Sequence, residues 1–576
     1  MKRCPECGRD YNDDSMSFCL DDGSELLFGP ASMDEPATAI MHETAQPVEA
    51  ATRAQIHMTD QTAILPAGTG DIATKPRGFD KRLLFASLIL AVMVLGGFFG
   101  YRYFEPAKQI ESIAVMPFVN ESKNEDVEYL SDGMTETLIS SLSNIPNLSV
   151  KARSTVFYYK GKETSPKKIG EDLKVQAVLF GRVSQRGDDL KLSLELVNTD
   201  TQDVIWSEQY NRKQSDLVSL QSEIAKTVSD KLRSKLTATE KERVSKTNTT
   251  SSEAQQLYLK GRFHWNKRTT DDFQKARDYF QQSIAADPNY ALAHTGLADT
   301  LALMPYYGNF RPSEYMPLAK QSAQKALEID PNLAEAHASL GQILTNYEYD
   351  LKGAERELKK AIELDPKYPS AYQWLSEVYH CSGNGDQALS EINKAIELDP
   401  LSMVINNQRG RVIDFGGKRD EAIAQFKKII ELFPDAASPR NNLADVYEAK
   451  ALYPEAVEQR LIQIKLLFGV SPENIKDLQL AFEKDGYKGF VKKQIDIQLD
   501  SQRSTLEKDK NAYLPAFRIA EAYARIGDKE KAFEYLNKAY DQREPQIAEL
   551  KIRLPLSSLR DDPRFKELVK KVGFPE

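Results

Sequence analysis

NLAEAHASLGQILTNYEYDLKGAERELKKAIELDP (332–366), KYPSAYQWLSEVYHCSGNGDQALSEINKAIELDP (367–400) and LSMVINNQRGRVIDFGGKRDEAIAQFKKIIELFP (401–434) follow one another as variants of a single pattern. Their closing prolines, Pro366, Pro400 and Pro434, are 34 residues apart, a period that marks a helix–turn–helix repeat. Small residues recur where two helices must approach closely: Gly341, Ser376 and Gly410 in the first helix, Ala354, Ala388 and Ala422 in the second. Leu358, Ile392 and Phe426, four positions after the second set, supply the bulk that fills the space.

This pattern resembles the tetratricopeptide repeat. The resemblance implies an α-solenoid whose first helices line a concave surface that binds a peptide or protein. On that helix the positions pointing away from the inter-helix core are Gln373, Glu377 and His380, then Asn407, Arg411 and Asp414, then Asn441, Asp445 and Glu448. Of these, Gln373, Glu377, Asn407, Arg411, Asn441 and Asp445 are the expected partner-binding residues. Gln373, Asn407 and Asn441 hold one repeat position in three neighbours, so their amides form a ladder able to bond an extended peptide backbone. The acidic neighbours favour a basic or neutral ligand.

The array extends in both directions, over 250–545. It begins at EAQQLYLKGRFHWNK, and its second pair contains the stretch LMPYYGNFRPSEYMP, which reads as an enlarged loop with Tyr306, Tyr307 and Phe310 as a second candidate contact. A sixth pair degenerates after Pro472, and a last pair returns at FRIAEAYARIGDKEKAFEYLNKAY. The tail, 546–576, reads as a capping helix introduced by Asp561–Asp562–Pro563.

Upstream, 110–238 alternates buried strands and amphipathic helices, which implies a two-layer α/β domain. Its segments IAVMPF, YLSDGMTETL, LFGRVSQRGDDLKLSLELV and IWSEQY resemble the family of the TolB amino-terminal and FlgO domains, found before tetratricopeptide repeats in membrane-linked regulators and in proteins labelled adenylate cyclases. Asp132–Gly133 reads as a turn and helix start rather than a site.

The N-terminal 29 residues contain CPECG and CLDDG turns, with Cys7 and Cys19 twelve residues apart. They read as a zinc ribbon ligated by Cys4, Cys7, Cys19 and Asp22, with Asp21 or water as an alternative fourth ligand. Residues 30–80 read as a disordered linker. Leu83 to Tyr101 carries no charge and, within 81–104, is long enough for a single transmembrane helix. Lys75, Arg77, Lys81 and Arg82 precede it, which places the N-terminus in the cytoplasm and the later domains outside.

The whole reads as a multidomain, mainly α chain. A net charge of −9 gives no footprint for nucleic-acid binding. No P-loop, HExxH, GxSxG or kinase set occurs, so no enzyme is expected. His294 and His337 read as structural histidines and Cys381 as a small buried hydrophobe. Two functions fit: a membrane-anchored interaction scaffold, or a transmembrane regulator whose array controls a cytoplasmic partner through the zinc head. The zinc reading predicts about one metal per chain in reduced protein by metal analysis, with tighter binding in Asp22→Cys. Metal-free reduced protein contradicts it.

Overall fold

The computed structural model describes residues 110–574, apart from 123, 125–126, 233–236, 238–246 and 469, together with three short N-terminal strands. The chain divides into two compact units, Met1–Gly96 and Gly97–Glu576. In the first, β1 (Lys2–Arg3) pairs antiparallel with both β2 (Asp10–Tyr11) and β3 (Leu27–Phe28). The four expected zinc ligands, the 30–80 linker and the Leu83–Tyr101 run lie outside the described residues. Among the described residues, no helix is long and apolar enough to cross a membrane.

The second unit opens with a six-stranded mixed sheet. β4 (Ser112–Val115) and β5 (Val119–Asn120) pair in parallel with successive stretches of β7 (Ala177–Arg186), while β6 (Ser149–Val150) lies parallel on the far side of β4. β8 (Asp189–Asn198) and β9 (Val204–Lys213) continue it as antiparallel strands. Alternation puts Leu190, Leu192, Leu194 and Leu196 of β8 into the core. There they share a core with Leu130, Leu138 and Leu142 of α1 (Glu128–Ser143) and Leu220, Ile224 and Val228 of α4 (Leu217–Leu232). α2 (Arg153–Phe157) and α3 (Pro166–Leu173) complete the domain. Asp132 is not a helix start. It sits in the second turn of α1 and receives Lys160 at 2.5 Å.

Helix pairs follow: α5 (Ser252–Lys267) with α6 (Thr270–Ala286), α7 (Ala291–Tyr307) with α8 (Pro312–Ile329), and α9 (Ala334–Ile343) with α10 (Leu351–Leu364). Next come α11 (Pro369–Cys381) with α12 (Gly385–Leu398), α13 (Met403–Phe415) with α14 (Arg419–Leu432), and α15 (Ala437–Ala449) with α16 (Tyr453–Phe468). The small residues do what their spacing requires. A Cβ on Gly341 would lie 2.6 Å from Leu358, and one on Gly410 would lie 2.5 Å from Phe426.

A second device recurs six residues after each closing proline. There His294, His337, Tyr372, Asn406 and Arg440 each donate a side-chain hydrogen bond, 2.9–3.1 Å long, to the carbonyl of Pro288, Pro331, Pro366, Pro400 and Pro434 respectively. The two histidines are therefore structural, and each satisfies a carbonyl at the entry to a first helix.

The enlarged loop expected at 303–317 is mostly helix. α7 runs on through Pro305 to Tyr307 and α8 starts at Pro312, so only 308–311 connects them. Burial of Leu301, Met304, Met316 and Ala319 holds the extensions, and Pro312, as a first-turn residue, loses no helical bond. Tyr307 packs on Phe273 and Phe310 on Tyr315, so neither aromatic forms a free tip.

Where the repeat pattern degenerates, α17 (Pro472–Lys508) is a long helix kinked at Gly486, whose φ of +62° only glycine adopts readily. α18 (Phe517–Ile526) and α19 (Lys529–Asp541) form the last pair. The 546–576 tail is not one capping helix. Two 3-10 turns, Pro545–Glu549 and Leu554–Leu559, precede α20 (Pro563–Val572), which Asp562 caps.

Candidate functional site

The α/β domain docks across three successive inter-repeat turns. Lys367, just after Pro366, donates to the carbonyls of Ser143, Ile145 and Leu148 at 2.9–3.1 Å, capping the end of α1 and its following loop. Asp399, just before Pro400, accepts from Thr155 at 2.8 Å and from Ser154. Phe433, just before Pro434, meets Tyr158 edge-on. On α1, Glu136 binds Arg262 of α5 at 2.7 Å and Arg153 at 3.1 Å. Charge-assisted bonds of this kind, largely screened from water, give the interface a fixed register.

The concave side of the array, this interface and the C-terminal segment together surround a cavity of about 2100 Å³. Of the six expected partner-binding residues, Gln373, Glu377, Asn407, Arg411 and Asn441 line it, and Asp445 is buried behind it. The face is not the open, solvated groove that the repeat positions suggest. Asn407 bonds Ser438 and Asn442 at 3.0 and 2.9 Å. Asn441 accepts from Arg460 at 2.5 Å. The expected amide ladder is thus spent on internal bonds at two of its three rungs, and Gln373 alone faces the cavity without one among the described residues.

The ion pairs join these positions to helices and turns later in the chain. Arg411 binds Glu549 of the first 3-10 turn at 2.7 Å, and Glu549 also receives Arg553 at 3.3 Å. Arg553 in turn binds Glu521 of α18 at 2.7 Å. Asp445 and Glu448 are shared between Arg460 of α16 and Arg525 of α18, the latter at 2.9 Å from each. The two arginines hold the Asp445 carboxyl down at about 2. His380 and Asp414, placed on the outward face by repeat position, are buried instead. His380 packs edge-on against Phe415, and desolvation, reinforced by Arg411, pushes its imidazole down to about 3.

Glu377 contrasts with these. It lines the cavity with no hydrogen bond or ion pair among the described residues. Desolvation, reinforced by the nearby Glu549 and only partly offset by Arg411, raises its carboxyl to about 7. Asp299, also in the wall, accepts from Ser339, and burial lifts it to about 6.

Several comparisons bear on the two halves. Residues 108–227 match the family described as HilA/YgeH-like transcriptional regulator, second domain, and residues 414–463 and 516–544 match tetratricopeptide repeat families. The C-terminal region therefore carries tetratricopeptide repeats, and a HilA-like domain precedes them. The match to 108–227 is to this family, not to the TolB amino-terminal or FlgO domains its motifs resemble. A Rhizobium meliloti (strain 1021) protein named "Putative adenylate cyclase 3" is 34% identical over 193 residues, which cover 34% of this chain and 32% of that protein. The chain thus aligns with about a third of that relative. Among solved structures, the tetratricopeptide protein YrrB, described as having an unusual peptide-binding site, is 22% identical, with 32% of this chain and 91% of that one covered and a TM-score of 0.24. The thermophilic tetratricopeptide protein TTC0263 of Thermus thermophilus is 20% identical, covering 34% of this chain and 98% of that one, with a TM-score of 0.29.

Because Glu377 is raised, the folded protein holds a proton that the unfolded chain releases between the ordinary carboxyl range and about pH 7. Its neutral form is tolerated below that range, and the stability it leaves intact is lost as pH rises through about 7. Glu377→Gln is therefore expected to melt at higher temperature than the parent at about pH 8, by roughly 1–3 kcal/mol of stability, with the two converging near pH 5. Thermal unfolding followed by circular dichroism across this range checks it.

Proposed function

We propose that the protein is a membrane-anchored interaction scaffold that takes a peptide segment of a partner protein into the cavity lined by the first helices of its repeats. The observation that carries this reading is the cavity itself. At about 2100 Å³ it exceeds the ~300–1000 Å³ of small-molecule pockets, and Gln373, Trp374 and Glu377 of α11 line it. Membrane attachment rests on the uncharged run Leu83–Tyr101, with the N-terminus inside and the α/β domain and array outside. A structural zinc in the N-terminal head rests on the spacing of Cys4, Cys7 and Cys19, and the pairing of β1 with β2 and β3 is consistent with it.

A second reading, a transmembrane regulator, is favoured by the match of 108–227 to a domain of transcriptional regulators. Because that domain is bolted to the inter-repeat turns through Lys367 and Asp399, a partner that altered the spacing of the repeats would also shift it. Both readings require a protein partner at the array.

The test is photo-crosslinking in intact cells, with p-benzoylphenylalanine placed at Gln373 or, as a control, at Lys359 on the outer helix of the preceding pair. The scaffold reading expects an adduct from position 373 that maps to one peptide of one protein, and none from 359. Equal or absent adducts at the two positions contradict it.

A further inference from the structure

Eleven residues beyond the closing proline, the first helices carry Asp299, Gln342, Glu377, Arg411 and Asp445. Toward the C-terminal end of this column the charges are matched within the chain: Arg411 meets Glu549, and Asp445 meets Arg460 and Arg525. In the middle they are not. Glu377 has no cation bonded to it: Arg411 is committed to Glu549, and Arg553 is shared between Glu549 and Glu521, so that three carboxylates, Glu377, Glu521 and Glu549, face the two guanidiniums of this linked group.

A second observation, on the neighbouring first helix that lines the same cavity, is independent of that charge. Asn346 is 3% exposed, its Oδ1 has no hydrogen-bond partner, and it lines the cavity. It lies one turn beyond Gln342 on the same helical run, and Gln342 holds the position in its repeat that Glu377 holds in the next. A buried carbonyl oxygen left without a donor is costly, so a donor that enters the space beside it is favoured. Trp374, three residues before Glu377 and on the same face of α11, and Tyr306 of α7 supply aromatic surface to the same wall. The patch therefore offers a carboxylate, an orphaned amide oxygen and aromatic faces, and lacks a positive charge.

We propose, resting on the scaffold reading, that the stretch of cavity at Gln342, Asn346, Trp374 and Glu377 seats a basic side chain of the partner peptide, an arginine guanidinium or a lysine ammonium. Such a group brings the donors that Asn346 Oδ1 and Glu377 want, neutralises the uncompensated charge, and stacks on an indole face. An acidic side chain in this place would add a second unpaired negative charge to a desolvated site. The stability that the empty site gives up at neutral pH is regained when the cation arrives. Binding should then tighten as pH rises through about 7, since the bound form holds Glu377 ionised.

The experiment is selection of a random-peptide phage library on the full-length protein in detergent, followed by titration of one selected peptide. The expected result is a fixed Lys or Arg position in the selected peptides. Replacing that residue by norleucine should weaken binding by about tenfold or more. Glu377→Gln should weaken the parent peptide by a similar factor, abolish the pH dependence, and make the norleucine replacement nearly neutral, as a double-mutant cycle requires of a direct pair. Trp374→Leu supplies a second variant whose loss of affinity should also be confined to peptides with the basic residue. Selected peptides without a basic position, or a norleucine cost that is the same in parent and variants, overturn the inference and leave the scaffold reading standing. If no peptide is enriched on the parent protein, the scaffold reading falls and this inference falls with it.

Discussion

A carboxylate near the end of the chain sits 2.7 Å from a guanidinium at its centre: Glu549 against Arg411. Both side chains are mostly screened from water, and removing either partner of such a pair typically costs about 3–5 kcal/mol, because the survivor is stranded. The pair does not stand alone. Arg553 links Glu549 to Glu521, and Arg525 links α18 to Asp445 and Glu448 of α15. Through these bonds the last helix pair and the 3-10 turns are drawn into the concave side of the array. A groove that would otherwise be open becomes a cavity, and the residues that would otherwise be solvated become its structural wall.

The closing turns of the repeats do the corresponding work at the other face. The carboxylate before a closing proline can cap its own turn, as Asp330 does by accepting from the Asn332 amide at 3.0 Å. Asp399 accepts from Ser154 and Thr155 of the α/β domain. At the next turn the aspartate is replaced by Phe433, which packs against Tyr158. One repeat position is thus reused for docking, and the HilA-like domain is held to the array as part of one compact unit. Glu377 stands apart from its neighbours Arg411, Asp445 and Glu448, whose charges are matched within the chain. A raised, unpaired carboxylate is a stability cost that a purely architectural residue would not retain, and sites of this kind tend to be functional.

How much of this was legible in the sequence follows from contact range. The helix pairs, the small residues at 341 and 410 and the three long strands of the sheet are set by local periodicity, and they fall where the periodicity puts them. The bond six residues past each proline was not legible, because His, His, Tyr, Asn and Arg have nothing in common beyond a donor that reaches. The filling of the groove was not legible either. It depends on contacts such as Arg411 with Glu549 and Arg525 with Asp445, formed between groups far apart along the chain that a 34-residue period does not pair. Repeat position therefore located Gln373, Glu377, Asn407, Arg411 and Asn441 on one cavity, but it could not say that Asn407, Arg411 and Asn441 were already occupied. The amide ladder failed for that reason, while Glu377 stayed available.

The C-terminal segment closes the array from within. Amide hydrogen exchange on the full-length protein, read by mass spectrometry over 543–560, tests it most directly, because these residues have little regular secondary structure to protect them and owe any protection to burial against the repeats. Slow exchange is expected there in the parent protein, comparable with α13, with selective acceleration over 543–560 in Arg411→Ala while the strands of the sheet stay protected. Rapid exchange over 543–560 in the parent protein would contradict it.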